Sequence, residues 1–453
     1  MANSKIDRNL ASGSIPSTAL VLYALGQVTT PPTGSHPGDK KVRVTHMAQT
    51  HVDRPTQLRT ALVDRLREEG MITSASVEAA VRVVPRERFM PAATPLEVAY
   101  GYDNSVVTKR DQHGRAISSV SAAYIQARML EQAELRPAMT VLEVGSGGLN
   151  AAMLAEVVGP QGRVVSVDID PEVTERAAAL LDETGYGSRV RVLVADAEHG
   201  VPGEGPFDAI IVTVGAWDIA PALLDQLAPD GVIVLPLIMN GVTRTIGFRR
   251  DGDHLVSTSA EVAGFVPMQG AGSHADQVLE LADTTGGLVE LSFDSGAPGD
   301  LIQLDGVLNA DVAESWSGVT VSHGISFADL HLWLAWYLDG FCRLSADEET
   351  ELAAQKRWLP FAVVRGSGLA YLMWRDALQG AGAEFGARAY GRDGQVAAAA
   401  LIEQIQAWDR AGRSMPPMFA YWPTGSDRSQ ISADATVMNK NYGVVTISWP
   451  TNS

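Results

Sequence analysis

Cysteine is nearly absent from the sequence, which has only Cys342 among its 453 residues. A single thiol excludes a disulfide framework and a cysteine-based metal site, because each needs more than one cysteine. We expect Cys342 to be a buried apolar side chain, and we predict no bound metal. A chain without disulfides fits the reducing cytoplasm, which is the predicted location.

Basic residues are also scarce, since 35 lysines and arginines stand against 53 aspartates and glutamates, for a formal net charge of −18. Nucleic-acid binding needs a basic surface, and the sequence has no dense lysine–arginine cluster. The longest apolar run near the start, residues 19–25, is far shorter than the ~18 residues that a membrane span needs. We therefore expect neither a nucleic acid nor a membrane as a partner.

Apolar residues make up 46% of the chain, which is enough for a buried core in each of two or three domains. Residues 1–54 are rich in Ser, Thr, Gly and Pro, and we predict a disordered or weakly ordered extension there. Residues 55–270 are predicted to form the main domain, which begins with helices. Residues 271–453 are predicted to form an additional α+β domain.

In the main domain, helical stretches alternate with apolar segments. These segments lie near residues 140–145, 163–169, 189–196, 207–215 and 231–237. The alternation predicts an α/β fold with a doubly wound parallel sheet.

A glycine-rich turn follows the first of these strands, in the run from Val141 to Gly148 (VLEVGSGG). Glycine lets the backbone approach a ligand closely, and the start of the next helix offers free N–H groups. Glu143 precedes the turn, and Asn150 stands where a dinucleotide-binding turn has its third glycine. Since an acid would repel a pyrophosphate but suit a cationic amino-acid group, the turn predicts a pocket for S-adenosylmethionine.

Acidic residues at the ends of the next two strands extend this pocket. Asp168 lies about 20 residues beyond the turn, where nucleotide-binding βαβ units have the acid that binds ribose hydroxyls. Asp196 ends the third strand and could meet the adenine amino group. The predicted cofactor-binding residues are Glu143, Gly145, Ser146, Gly147, Asp168, Asp196 and Ala197.

Two adjacent serines, Ser118 and Ser119, precede a helical stretch over residues 125–135 and are predicted to lie at its N-terminus. In the structural interpretation, one of them caps the helix. In the functional interpretation they are the catalytic pair, because hydroxyls and free N–H groups there hold a substrate carboxylate beside the methyl donor. Ser121 is predicted to bind substrate with them.

Trp217 and Asp218 follow the fourth strand, at the carboxyl edge of the sheet where ligands of such folds bind. We predict that they line the substrate entrance. The alternative is a helix start, in which Asp218 caps the helix and Trp217 packs under the loop. Beyond residue 270 the chain holds eight of its nine tryptophans, which is consistent with a peptide-binding groove or with an ordinary core.

The chain resembles protein-L-isoaspartate O-methyltransferases over about residues 55–268. The matching segments, in order, are residues 84–91 (VPRERFMP), 99–100, 117–118, 141–147 and 215–231. The resemblance implies a Rossmann-like S-adenosylmethionine-dependent methyltransferase domain. It also implies that Ser118 helps to bind an isoaspartyl carboxylate. The chain departs from the family after Ser118, with Ser119-Val120-Ser121 where the repair enzymes continue with proline and histidine.

The double serine, residues 215–219 (GAWDI) and the long C-terminal part resemble the variant methyltransferases of ribosomal peptide pathways, including lanthipeptides and graspetides. This resemblance implies esterification of an aspartate side chain in a modified precursor peptide, followed by closure to an aspartimide. It further implies that the C-terminal domain recognises the peptide and that other maturation enzymes are possible partners.

Methylation of a carboxylate needs little acid–base help from a protein. A peptide carboxylate has a pKa near ~4 and is ionised at neutral pH, so the enzyme must align it and exclude water. Two other functions stay open on the sequence: repair of isoaspartyl residues, and recognition of a precursor peptide without catalysis.

Overall fold

The computed structural model describes residues 53–378, 382–413, 416–433 and 435–449. The extension predicted over residues 1–54 lies almost entirely outside the described residues. The helices are α1 (Arg54–Glu68), α2 (Ala75–Val83), α3 (Leu96–Ala99), α4 (Ala123–Gln132), α5 (Leu149–Val158), α6 (Pro171–Glu183), α7 (Pro221–Gln226), α8 (Ala328–Tyr337), α9 (Glu351–Gln355) and α10 (Gly394–Arg410).

The strands of the described residues are β1 (Val106–Arg110), β2 (Ala116–Val120), β3 (Thr140–Val144), β4 (Arg163–Asp168), β5 (Val190–Val194), β6 (Phe207–Val212), β7 (Leu227–Met239), β8 (Val242–Asp251), β9 (His254–Val262), β10 (Gln277–Ala282), β11 (Leu288–Phe293), β12 (Val312–Val321), β13 (Phe341–Ala346), β14 (Trp358–Arg365), β15 (Gly368–Asp376), β16 (Ala383–Tyr390), β17 (Met418–Pro423), β18 (Thr436–Asn439) and β19 (Gly443–Ser448). The strands β1 and β2 form a separate antiparallel hairpin.

The main sheet has the strand order β18-β19-β17-β9-β8-β7-β6-β3-β4-β5. Its strands β5, β4, β3, β6 and β7 are parallel, and the predicted doubly wound α/β fold is confirmed. Val141 and Leu142 of β3 are both fully buried. Their side chains point to opposite faces of the sheet, and each face is covered by its own apolar core. The chain order reverses between β3 and β6, which is where ligands bind in open sheets of this kind.

Two helices precede the sheet, as predicted, and the structure shows that both are capped. The side chain of Asp53 accepts a hydrogen bond from the backbone N–H of Thr56 at the start of α1. Ser74 accepts one from Val77 at the start of α2. Since a capped helix start satisfies N–H groups that would otherwise lack partners, these two residues fix where the helices begin. The apolar sides of both helices belong to the core that also contains α5.

The C-terminal part contains a second, antiparallel sheet with the order β10-β11-β13-β14-β15-β16-β12. Helix α10 packs across it through Ala397, Leu401 and Ile405, which are buried. The single cysteine, Cys342, is buried in β13, in agreement with its predicted role as an apolar side chain.

The domain boundary that we expected at residue 270 does not fully separate the two parts of the structure. The last three strands, β17 to β19, return to the main sheet, where β17 pairs with β9 through Tyr421 and Leu255. Phe248 of the main sheet, Leu372 of the second sheet and Phe419 of β17 share one apolar core. The physical reason is that β9 would otherwise be an open edge, with unpaired backbone groups.

Three tryptophans of the C-terminal part, Trp336, Trp408 and Trp422, are buried in packed regions. For these three the ordinary-core interpretation is correct and the groove interpretation is wrong. Among the described residues, no helix is both long and apolar enough to cross a membrane.

Replacement of Ile447 by alanine should destabilise the whole protein by about 2–5 kcal/mol, because it leaves a cavity in the core that both sheets share. Calorimetric unfolding measures this effect. The exposed Val437 of neighbouring β18 provides the control, since V437A should change stability by less than about 0.5 kcal/mol. Two separate transitions, with I447A shifting only one of them, would contradict the shared core.

Candidate active site

The glycine turn joins β3 to α5 at the carboxyl edge of the main sheet. Gly145 and Gly148 have φ angles of +98° and +83°, a region that favours glycine. A Cβ atom on Gly145 would lie 2.4 Å from Oγ1 of Thr213, whereas a Cβ on Gly147 would meet nothing within 4 Å. The turn therefore needs glycine for its conformation and leaves open space beside Gly147.

A narrow cleft lies against this turn. Its lining residues include Ser119, Ser121, Glu143, Gly145, Gly147, Asn150 and Thr213. They come from the end of the β1–β2 hairpin, from β3 and its turn, from α5 and from the end of β6. The structure thus brings two of the predicted serines together with three of the predicted cofactor-binding residues.

The carboxyl group of Glu143 is fully buried beneath the turn. Its Oε2 accepts a hydrogen bond from the hydroxyl of Ser166, which lies 2.8 Å from the hydroxyl of Ser146. Burial raises the pKa of Glu143 to about 7. Oε1 of Glu143 and Nδ2 of Asn150 are both buried, and neither makes a hydrogen bond of ordinary geometry among the described residues. The amide of Asn150 nevertheless lies beside the Glu143 carboxyl group, and this contact offsets part of the rise in its pKa.

These two groups fit the methionine end of S-adenosylmethionine. A carboxylate oxygen accepts a hydrogen bond from an ammonium group, and an amide N–H donates one to a carboxylate. Both side chains line one cleft, so a ligand that carries an ammonium and a carboxylate could complete their hydrogen bonds there. Asn150 was visible in the sequence only as a missing glycine, and its donor role needed the structure.

Asp168 ends β4 beside the glycine turn. One carboxylate oxygen accepts a hydrogen bond from the backbone N–H of Ser146, and the other accepts one from the backbone N–H of Asp170, both at 3.0 Å. Burial raises the pKa of Asp168. The acid therefore lies next to the turn, and its bond to a ribose stays a prediction.

Asp196 lies beyond the end of β5 and already has two backbone partners. It accepts hydrogen bonds from Glu198, at 3.0 Å, and from Ala271, at 2.9 Å. The segment Gly270–Gly272 therefore packs against this carboxylate. Ala197, the next residue, is buried. Adenine binding at Asp196 and Ala197 stays a prediction, and it requires that this segment leave room for the ring.

The two serines do not lie at a helix N-terminus, and that expectation was wrong. Ser118 and Ser119 belong to β2, whereas α4 begins at Ala123 after Ala122, which has no capping side chain. Successive side chains of a strand point to opposite faces. Ser119 accordingly lines the cleft, and Ser118 does not. The expected convergence of both hydroxyls in one cavity is therefore wrong.

Ser118 points instead to a second polar cluster. Its hydroxyl lies 2.8 Å from Oγ1 of Thr108 and 3.5 Å from a terminal nitrogen of Arg176. Ser121 lines the cleft, and its backbone carbonyl accepts a hydrogen bond of 2.6 Å from the buried Arg86. Arg86 thereby fixes the chain where β2 leads into α4.

Trp217 and Asp218 contact the C-terminal part and are not among the residues that line the cleft. Asp218 accepts hydrogen bonds of 2.7 Å from the hydroxyl of Tyr421 and from the backbone N–H of Tyr442. Trp217 stacks on His274, and the ammonium of Lys440 lies over its ring. Both residues thus lie outside the lining of the cleft, and their place at a substrate entrance stays a prediction.

The alternative interpretation of these two residues, in which Asp218 caps a helix and Trp217 packs under the loop, is wrong for Asp218. Helix α7 begins at Pro221 after Ala220, so Asp218 does not cap it. Both side chains instead hold the end of the chain against the carboxyl edge of the main sheet. The sequence around Trp217 gave no signal for partners that lie more than 200 residues away.

The family model described as Protein-L-isoaspartate(D-aspartate) O-methyltransferase (PCMT) matches residues 57–273. A protein-L-isoaspartate O-methyltransferase of Hyperthermus butylicus is 39% identical over 197 residues, covering 40% of this chain and 75% of that protein. The Methanopyrus kandleri protein of that name is 42% identical, with coverages of 40% and 76%. The Pyrobaculum neutrophilum protein is 36% identical, with coverages of 46% and 97%.

The affinity for S-adenosylmethionine should rise with pH. Because the pKa of Glu143 is about 7, its carboxyl group is mostly neutral at pH 6 and mostly anionic at pH 8, and only the anion attracts an ammonium group. We expect about tenfold tighter binding at pH 8 than at pH 6, measured by calorimetry.

The variant E143Q should bind the cofactor weakly at both pH values and lose the pH dependence. Glu156, on α5, is paired with Arg189 and provides the control, so E156Q should behave as the unchanged protein does. A pH dependence that persists in E143Q would contradict the assignment.

Proposed function

Because the chain belongs to the protein-L-isoaspartate O-methyltransferase family, we propose that it methylates a carboxylate of a peptide. Membership makes it an S-adenosylmethionine-dependent carboxyl O-methyltransferase. The finer part of the proposal concerns the substrate, which is an aspartate side chain of a modified ribosomal precursor peptide. The ester then closes to an aspartimide.

Residues on four neighbouring elements would hold the cofactor. Glu143 and Asn150, which line the cleft, are assigned to its amino and carboxylate groups. Asp168 and Asp196, at the ends of adjacent parallel strands, are assigned to ribose and adenine. Bound S-adenosylmethionine supplies an electrophilic methyl group. The glycine turn lets the backbone lie close to it.

The remaining task of the protein is to align a carboxylate that is already ionised. The hydroxyl of Ser119 is assigned to donate a hydrogen bond to one carboxylate oxygen, which leaves the other oxygen free to attack the methyl carbon. Val120, Met129 and Phe265 form apolar parts of the cleft and keep water away from the anion. No proton has to be removed, so a catalytic histidine is not required.

The position of Ser119 is the main observation that supports the proposed substrate. It lines the cleft, and it is the first residue at which the chain departs from the sequence pattern of the repair enzymes. A changed side chain beside the reacting carboxylate favours a changed carboxylate. The second sheet lies beyond residue 273, where the family match ends, and offers further surface for a peptide.

Closure of the ester to the imide needs no cofactor. The backbone nitrogen of the residue after the aspartate attacks the ester carbonyl, a C–N bond forms, and methanol leaves with the proton of that nitrogen. The product is a five-membered imide. This step needs only a flexible backbone at the aspartate.

Methylation of isoaspartyl residues is the second candidate function. It is favoured by the names of the relatives, which are 36–42% identical to the matched part of this chain. Both candidates use the same cofactor cleft and differ in the carboxylate that is presented to it.

A comparison of two peptides separates these functions. The protein is incubated with S-adenosylmethionine and either a macrocyclic precursor peptide or a linear isoaspartyl peptide, and the products are analysed by mass spectrometry. We expect the macrocyclic peptide to gain the mass of one CH2 group and then to show a net loss of one water. The linear form of the same precursor is the control. Preferential esterification of the isoaspartyl peptide would contradict the proposed substrate.

Replacement of Ser119 by alanine should lower kcat/KM for the peptide about tenfold to a hundredfold, because a hydrogen bond to a charged group is lost. The affinity for S-adenosylmethionine, measured by calorimetry, should stay unchanged. Ser76, an exposed serine of α2, provides the control. Full activity of S119A would rule out this role for the hydroxyl.

A further inference from the structure

Strand β10 forms one edge of the second sheet, and its outer side is open. At the turn that joins β10 to β11, the backbone N–H of Asp283 donates a hydrogen bond to the carbonyl of Gly287. Hydrogen-bonded and non-hydrogen-bonded pairs alternate along antiparallel strands. The backbone groups of Val278, Glu280 and Ala282 therefore point away from β11, and no described residue forms a hydrogen bond with them.

The edge at β10 lacks most of the features that normally prevent strand addition, which are bulges, prolines, charges and covering helices. Its six residues pair with β11 in continuous register, without a bulge or a proline. The other edge strand, β12, has an irregular register between Trp316 and Thr320, and α10 packs beside it. On β10 the side chain of Val278 is 48% exposed. Strand β10 is therefore the edge of this sheet that can accept a further strand.

Two carboxylates lie opposite each other beside this edge. Glu280 of β10 pairs directly with Glu290 of β11, so both side chains lie on one face of the sheet. Like charges in such a pair destabilise a sheet. Arg343 is the only basic residue of β10, β11 and β13, and it is bonded to Asp276. Neither glutamate has an ion-pair partner among the residues that the structure describes, so a cation from outside would relieve their repulsion.

The charge around β10 decides which strand it can accept. Residues 271–350 contain fourteen aspartates and glutamates but only one lysine or arginine. A second copy of this chain would bring the same acidic strand against β10, and the like charges would oppose that pairing. A segment with a lysine or arginine opposite Glu280 would instead place a cation beside both glutamates. The occupant that fits this edge is a basic, extended peptide segment.

Strand β10 begins where the chain leaves the candidate active site. Phe265 lines the cofactor cleft, and the backbone N–H of Ala271 donates a hydrogen bond to Asp196. His274 then stacks on Trp217, and β10 follows. A peptide strand that lies along β10 would therefore lead toward the loops that form the cleft.

We propose that β10 binds a basic segment of the peptide substrate as an additional antiparallel strand, with a lysine or arginine opposite Glu280. The proposal rests on the proposed function, because it takes the methylated peptide to be the occupant of the edge. Backbone hydrogen bonds give affinity for an extended segment, and Glu280 with Glu290 selects a basic side chain. The edge thus holds one part of the peptide while another part reacts in the cleft.

Direct binding tests the charge preference without turnover. Two fluorescent peptides, acetylated and amidated at their ends, carry the sequences Gly-Thr-Thr-Lys-Thr-Val-Gly and Gly-Thr-Thr-Glu-Thr-Val-Gly, so that the central residue can face Glu280. Their affinities for the full chain are measured by fluorescence anisotropy. We expect the lysine peptide to bind about fivefold more tightly, because opposite and like charges across neighbouring strands differ by about that much. The difference should shrink in high salt.

Three variants define the source of the preference. E280K should prefer the glutamate peptide, whereas E403K makes the same charge change at an exposed position of α10 and should keep the original preference. A282P should lose binding to both peptides, because proline removes an N–H that faces the added strand and none that bonds to β11. Thermal unfolding shows whether each variant is folded.

Hydrogen exchange locates the bound strand. The backbone amide of Glu280 should exchange with deuterium more slowly when the lysine peptide is bound, because it then donates a hydrogen bond to the added strand. Equal affinity of the unchanged protein for the two peptides, or no measurable binding of either, would overturn the proposal. A preference for the lysine peptide that survives in E280K would also overturn it.

Methylation of the macrocyclic precursor peptide is scored separately with S-adenosylmethionine. A preference that E280K reverses, found without methyl transfer to any peptide, would support the edge site and contradict the proposed function. Methyl transfer to the precursor without any preference between the two probe peptides would overturn the edge site and leave the proposed function intact.

Discussion

The burial of one carboxyl group, that of Glu143, is the constraint on which the site depends. Glu143 lies in the central parallel strand β3, under a glycine turn and beside Ser166 of β4. Its burial is costly unless a cation approaches, and Glu143 lines a cleft together with Asn150, whose amide lies beside the carboxyl group. The proposed ligand, which carries both an ammonium and a carboxylate, would complete this site.

The features that could be predicted from the sequence are local ones. The apolar strands, the glycine turn and the acids at strand ends follow from side-chain period and from where parallel strands finish. The face of each hydroxyl could not be predicted, because it depends on whether residues 116–120 form a strand or lead into a helix. In a strand, adjacent serines separate, and in a helix start they would have stayed together.

The roles of Trp217 and Asp218 could not be predicted for a different reason. Their partners, Tyr421, Tyr442 and Lys440, lie near the other end of the chain, and no local pattern reports such a contact. The same long-range pairing joins β17 to β9 and gives both sheets a common core. The C-terminal part is therefore attached to the carboxyl edge of the main sheet, close to the loops that form the site.

A crystal structure of the protein with S-adenosylhomocysteine tests the central claim most directly. We expect the amino group of the ligand to lie within hydrogen-bond distance of Oε1 of Glu143, and its carboxylate within that distance of Nδ2 of Asn150. Ser119 should then face the sulfur atom, with Ser118 on the other side of β2. A ligand bound away from the glycine turn, or a Glu143 carboxyl group without contact to it, would contradict the account.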